Sequence, residues 1–157
     1  MKYVWYSVLP LLFVIQLPAA CVTGGFAVVV NRANGIGNLS LPQLRKIITG
    51  EIRNWPDRKA VVIVNREPQS QVFRCMLSAV IGLSEPEYRR KLMNEEFRGE
   101  EAVPVRVTVS TSSAVLTVGD IEGGITLIEA SIVSRLPPSV KVIRINGAAL
   151  GEAGYSL

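Results

Sequence analysis

Ala60-Val61-Val62-Ile63-Val64-Asn65-Arg66-Glu67-Pro68-Gln69-Ser70-Gln71-Val72-Phe73 is the stretch on which the fold turns. Its first half, Ala60 to Asn65, is a β-branched apolar run, the pattern of a buried strand. Its second half opens a helix. Ser70 is a residue type that caps helix N-termini, and Val72, Phe73, Met76, Leu77 and Val80 recur at helical spacing until Gly82 stops them. A strand passed to a helix through a short loop is a unit of α/β architecture.

Working outward, the same grammar repeats. Upstream, Phe26 to Val30 reads as a strand buried on both faces, and Asn31 to Asn38 as a loop. Ser40 then caps a helix with Pro42 in its first turn, and Leu41, Leu44, Ile47 and Ile48 line its inner face until Gly50. Asn54-Trp55-Pro56-Asp57 is a surface turn. Downstream, Ser84-Glu85-Pro86-Glu87 is a capping box opening a helix through about Met93, and Phe97 to Pro104 is a loop. Val105 to Val109 predicts a strand, Ser110 to Ser113 caps a short helix over Ala114 to Val118, Ile125 to Ile128 is a strand, and Val140 to Ile145 a last one before Asn146-Gly147. Strands alternate with helices, which predicts a three-layer α/β domain with a parallel or mixed central sheet.

Ahead of these elements, Lys2 precedes an apolar run from Val4 to Leu17 and then Pro18-Ala19-Ala20-Cys21. A cation, an apolar stretch and small residues make a secretory signal peptide, expected over residues 1–21. An uncleaved anchor is the second reading, since Tyr3 to Val22 just reaches spanning length. Leu17-Pro18-Ala19-Ala20-Cys21 also resembles a lipoprotein box, with Pro18 where Leu is usual, so a lipid anchor at Cys21 stands as a third. Removal of Cys21 with the signal, or its pairing with Cys75, stays open as well. The folded domain, expected over residues 25–150, is then periplasmic or secreted.

Composition removes several classes of function. The chain of 157 residues has no His, which excludes imidazole triads, His metal ligands and an imidazole pH switch. Two Cys exclude zinc fingers and disulfide scaffolds. The net charge of +4 is scattered rather than massed, so nucleic acid is not an expected partner. Cys75 lies within a helix with no base to activate it. Glu95-Glu96 and Glu100-Glu101 are adjacent, solvated acids, and Asp120 with Glu122 lacks the ligand density of a calcium loop. An enzyme is not expected, and no cofactor or metal is implied.

The chemistry left is anion binding. At the strand-to-helix junction the first-turn N–H groups are unpaired and the helix dipole favours negative charge. Arg66 adds a planar donor fork, Ser70 a hydroxyl at the cap, and Glu67 an acceptor for a protonated oxyanion or a partner for Arg66. Ser110-Thr111-Ser112-Ser113 is a similar donor cluster, with Ser110 and Thr111 foremost. The plainer reading of both segments is ordinary capping and a surface ion pair.

The order of these motifs resembles the periplasmic phosphate-binding proteins of ABC transporters and their short relatives. The likeness is carried by Phe26-Ala27-Val28-Val29-Val30-Asn31, a strand ending in Asn, and above all by Leu39-Ser40 with Gly50, Trp55 and Asp57 at matching intervals. Val64-Asn65-Arg66-Glu67 with Ser70 and Phe73, and Gly124-Ile125-Thr126-Leu127, continue it to about Gly147. The resemblance implies a type 2 periplasmic-binding-protein-like fold with a mixed sheet. It implies a non-catalytic protein that binds phosphate or a related oxyanion, with an ABC permease or envelope protein as partner. Arg66 and Ser70 become anion contacts, with Glu67, and Gln71 through its backbone N–H. Ser70-Gln71-Val72 stands where the family has Ser-Gly-Thr, and the Gly-rich loop of the family's first lobe has no counterpart. The expected domain is therefore mostly one lobe, binding weakly. A module that kept the fold and lost the ligand is the alternative.

Overall fold

The computed structural model describes residues 25–97 and 102–157. The expected leader with Cys21 and the Glu100-Glu101 pair lie outside them. Five strands form the central sheet in the order β4-β3-β5-β1-β6: β1 (Phe26–Asn31), β3 (Val62–Arg66), β4 (Val105–Thr108), β5 (Gly124–Glu129) and β6 (Val140–Val142). β3 runs parallel to β4 and β5, whereas β1 is antiparallel to β5 and β6, so the sheet is mixed. A second, two-stranded parallel sheet pairs β2 (Asn38–Leu39) with β7 (Arg144–Ile145).

Period-two alternation divides the core into two layers. Phe26, Val28 and Val30 of β1 and Ile63 of β3 pack on one face against Leu44, Ile47 and Ile48 of α1 (Leu41–Ile48), Phe73 and Met76 of α2 (Gln71–Met76), and Tyr88 of α3 (Glu85–Phe97). Ala27 and Val29 with Val64 and Ile128 pack on the other face against Ala114, Val115 and Val118 of α4 (Thr111–Asp120). β1, central and covered on both sides, is buried at every position. That is why it reads as a continuous apolar run rather than an alternating one.

The local signals act as the sequence predicts. Ser40 and Gln43 complete a capping box on α1. Its other end closes in a Schellman arrangement, with Glu51 N–H donating to the Lys46 carbonyl and Gly50 N–H to that of Ile47, Gly50 at φ 82°. Asn31, the last residue of β1, shares the face of Ala27 and Val29, and its side chain donates to the carbonyls of Val118 and Gly119 near the C-terminus of α4. Trp55, expected in a surface turn, is instead buried, its Nε1 donating to the Gly123 carbonyl at 3.0 Å.

Three differences from the expected elements have local causes. The helix after Ser70 widens into a π turn over Leu77–Ile81, where Gly82 N–H reaches the Leu77 carbonyl and Leu77, Val80 and Ile81 stay in the core. The last strand breaks at Ile143, so that β6 pairs with β1 and β7 with β2. Asn146-Gly147, both at positive φ, then turns the chain back with Ile145 and Ala148 bonded to each other. A 3-10 segment, Ala130–Arg135, follows β5, which itself extends one residue further than expected, to Glu129.

Candidate functional site

β3, β4 and β5 run in one direction, so their carboxyl ends share one rim of the sheet. From β3 the chain enters α2 on one face; from β4 it enters α4 on the opposite face. Adjacent parallel strands whose helices leave to opposite faces open a crevice at their carboxyl ends, where α/β proteins bind ligands. Both junctions singled out from the sequence lie here.

Arg66 is the last residue of β3 rather than a loop residue, and strand alternation fixes its direction. Asn65 turns to the α3 face, where its Nδ2 donates to the Tyr88 hydroxyl at 2.9 Å. Arg66 turns the other way, toward the start of α4. Its Nη1 donates to Thr111 Oγ1 at 2.6 Å and its Nη2 to the Val109 carbonyl at 3.1 Å, while Nε is buried without a hydrogen-bond partner. Thr111, itself buried, donates a hydrogen bond through its hydroxyl to Glu129 Oε2 at 3.2 Å. A guanidinium, a hydroxyl and a carboxylate thus form a chain across the ends of β3, α4 and β5.

The two helix starts are built differently. Ser110 caps α4, its Oγ accepting from Ser113 N–H at 3.0 Å and lying 2.8 Å from Ser113 Oγ. The N–H groups of Thr111 and Ser112 precede any helical acceptor, as first-turn donors do. Ser70 caps α2 through Phe73 N–H at 3.2 Å, and Glu67 accepts from Ser70 N–H through its main-chain carbonyl. The Glu67 and Gln71 side chains are exposed. Of the expected contacts, the structure joins Arg66 to Thr111 directly and sets Ser110 beside them. Glu67 in the neighbouring loop, Ser70 at the cap of α2 and Gln71 at its first position make no side-chain bond to Arg66.

The electrostatics are uneven. A cation beside a helix N-terminus adds positive charge to the positive end of a dipole, an arrangement that favours an anion. Glu129 supplies part of that compensation through Thr111. Glu129 lies one residue beyond the strand that the sequence predicts to end at Ile128. The available signal was an acid at the carboxyl end of a strand, which gains meaning only once β5 is known to lie beside β3. Among the described residues no cluster of acids, Cys and His is arranged to hold a metal ion, and no helix is long and apolar enough to cross a membrane. Cys75 is buried in the core.

Comparison with known proteins places this rim in context. The model of the PBP superfamily domain matches residues 18–137, most of the chain. Among solved structures, an ABC-type phosphate transport receptor from Vibrio cholerae is 26% identical with a TM-score of 0.61, over 80% of this chain and 48% of that one. A putative phosphate ABC transporter substrate-binding protein with bound phosphate, from Clostridium perfringens, is 22% identical with a TM-score of 0.63, over 80% and 46%. PstS from Borrelia burgdorferi is 15% identical with a TM-score of 0.63, over 79% and 48%. The chain spans about half the length of these structures. No curated protein matches it.

Proposed function

The chain belongs to the PBP superfamily domain family, and on that premise we propose that it is a non-catalytic binding domain for phosphate or a related oxyanion, working in the periplasm or outside the cell. The observation that carries this is the Arg66 guanidinium held against the N-terminal turn of α4, with a buried Nε still unpartnered. Arg66, Ser110 and Thr111 contribute side-chain donors, and the first-turn N–H groups of α4 contribute main-chain ones. Ser70, Glu67 and the Gln71 N–H border the anion from the other junction. The solved relatives named for phosphate transport support the same ligand class and an ABC permease as partner.

Affinity is low in this proposal. A doubly charged anion needs many donors to offset its desolvation. A rim open to water on one side weakens each contact toward the value of an exposed pair, about 0–1 kcal/mol. Thermal unfolding in phosphate and in sulfate, against chloride at matched ionic strength, tests it. At ten times Kd the stabilisation is about 1.4 kcal/mol, and Arg66→Ala removes it. No shift in the wild type at millimolar anion, or an equal shift in Arg66→Ala, ends the proposal.

A second reading, an envelope interaction module that has lost its ligand, is favoured by one observation. Both terminal nitrogens of Arg66 are already engaged by Thr111 and Val109. The same titration separates the two readings, because this one expects no anion-specific shift.

A further inference from the structure

We propose that the outer edge of β4 is a self-association surface, on which a second copy of this chain adds its own β4 in antiparallel fashion to make one continuous sheet. The proposal is independent of anion binding. Three of the large exposed apolar side chains among the described residues follow one another here: Val105 is 37% exposed, Val107 58% and Val109 70%. Val105 and Val107 also line a cavity of about 150 Å³ under this edge, together with Phe73, Tyr88 and Leu92.

Among the described residues, the main chain of this edge is as open as its side chains. The carbonyls of Pro104 and Thr108 accept from Ile63 N–H of β3 and from Glu67 N–H just past its end. Alternation then turns the N–H and C=O groups of Val105 and Val107 outward, away from β3. Edge strands are normally blunted by inward charges, Pro or a covering element. Here the strand offers one charge, Arg106, on the side opposite the valines. The described ends of the chain do not reach this edge, since Gly25 and Leu157 meet beside β1, beyond both β3 and β5.

The sequence of the edge specifies a copy of itself. Val105-Arg106-Val107-Thr108-Val109 has the same alternation in either direction about Val107. A two-fold axis through Val107 sets Val107 against its own copy and Arg106 against Thr108, and brings Val105 opposite Val109, which follows β4 at a bend and whose carbonyl accepts from Arg66 Nη2. All three apolar positions then meet apolar positions, and no like charges face each other. Shifting the axis to Arg106 would oppose Arg106 to itself, and directly opposed like charges destabilise a strand pair. The favoured axis is perpendicular to the sheet, so both α3 helices lie on one face and flank the seam, as an isologous contact requires.

Sedimentation equilibrium and light scattering of the full chain, across micromolar to submillimolar concentration, test the proposal. The wild type is expected to show a monomer–dimer equilibrium. Val107→Lys is expected to weaken it about ten-fold or more while retaining a native circular dichroism spectrum. Val107→Cys is expected to form a covalent dimer under oxidation, because hydrogen-bonded antiparallel neighbours lie about 5.5 Å apart between Cα atoms, within disulfide reach. Arg106→Cys is expected to form none. A wild type that is monomeric at every concentration overturns the proposal, whether or not it captures some other protein. A dimer that Val107→Lys leaves intact, or one that Arg106→Cys cross-links as well as Val107→Cys, does so too.

Discussion

Tyr88→Phe probes the support beneath Arg66. The Tyr88 ring is buried edge-on to Phe73, and its hydroxyl accepts from Asn65 Nδ2 at 2.9 Å, which ties the end of β3 to α3. Removing the hydroxyl leaves a buried amide donor without its partner, at a cost of about 1–2 kcal/mol at neutral pH. Burial also pushes the Tyr88 phenol up to about 12 from its ordinary 10.0, partly offset by the Asn65 hydrogen bond. The folded state therefore keeps this proton after the unfolded chain has lost it. The resulting stability is complete below pH 10, declines as pH rises above it, and by pH 12 has fallen by about 2 kcal/mol.

Urea unfolding of wild type and Tyr88→Phe at neutral pH and at several points above pH 10 reads both effects. The difference between the two proteins isolates Tyr88 from Tyr155, whose phenol burial also raises, and from the lysines. Wild type is expected to be the more stable at pH 7, with the advantage shrinking steeply above pH 10 until the curves meet near pH 12. A companion variant, Asn65→Leu with Tyr88→Phe, removes both polar partners and should recover much of the neutral-pH loss. A neutral-pH cost below a few tenths of a kcal/mol, or a difference that stays constant into alkaline solution, would refute the reasoning.

Further outcomes follow from other contacts. Gly123→Ala would place a Cβ 1.9 Å from the Ala60 carbonyl oxygen, forcing backbone apart, so a loss of about 3 kcal/mol or more is expected in denaturant titration. Ser40→Ala removes half of the capping box on α1 and should cost about 1 kcal/mol by the same measurement. Ser110→Ala uncaps α4 and should cost a similar ~1 kcal/mol, while also reducing the phosphate-induced rise in melting temperature. Lys59→Ala breaks exposed pairs with Glu122 and Asp57 and should leave melting essentially unchanged, since such pairs contribute little.

What the chain declares about itself is what acts over short sequence distances. The caps at Ser40, Ser70 and Ser110, the Gly50 stop, the apolar stripe of α2 and the β-branched runs of β1 and β3 depend on neighbours a few residues away, so they are legible without a structure. Arg66 and its loop were legible for the same reason, as was Ser110-Thr111 at the head of α4. What no local pattern holds is the order of strands, because it is settled by which apolar faces are buried together. That order makes β4 an edge and brings the carboxyl end of β5, with Glu129, beside Thr111. It also sends Arg66 to the α4 side and Asn65 to Tyr88, because β3 continues one residue further than its apolar run and alternation then assigns each side chain a face. The residues proposed here to hold an anion can be picked out in the sequence; whether they converge, and what already engages them, is decided by long-range burial that only the folded sheet expresses.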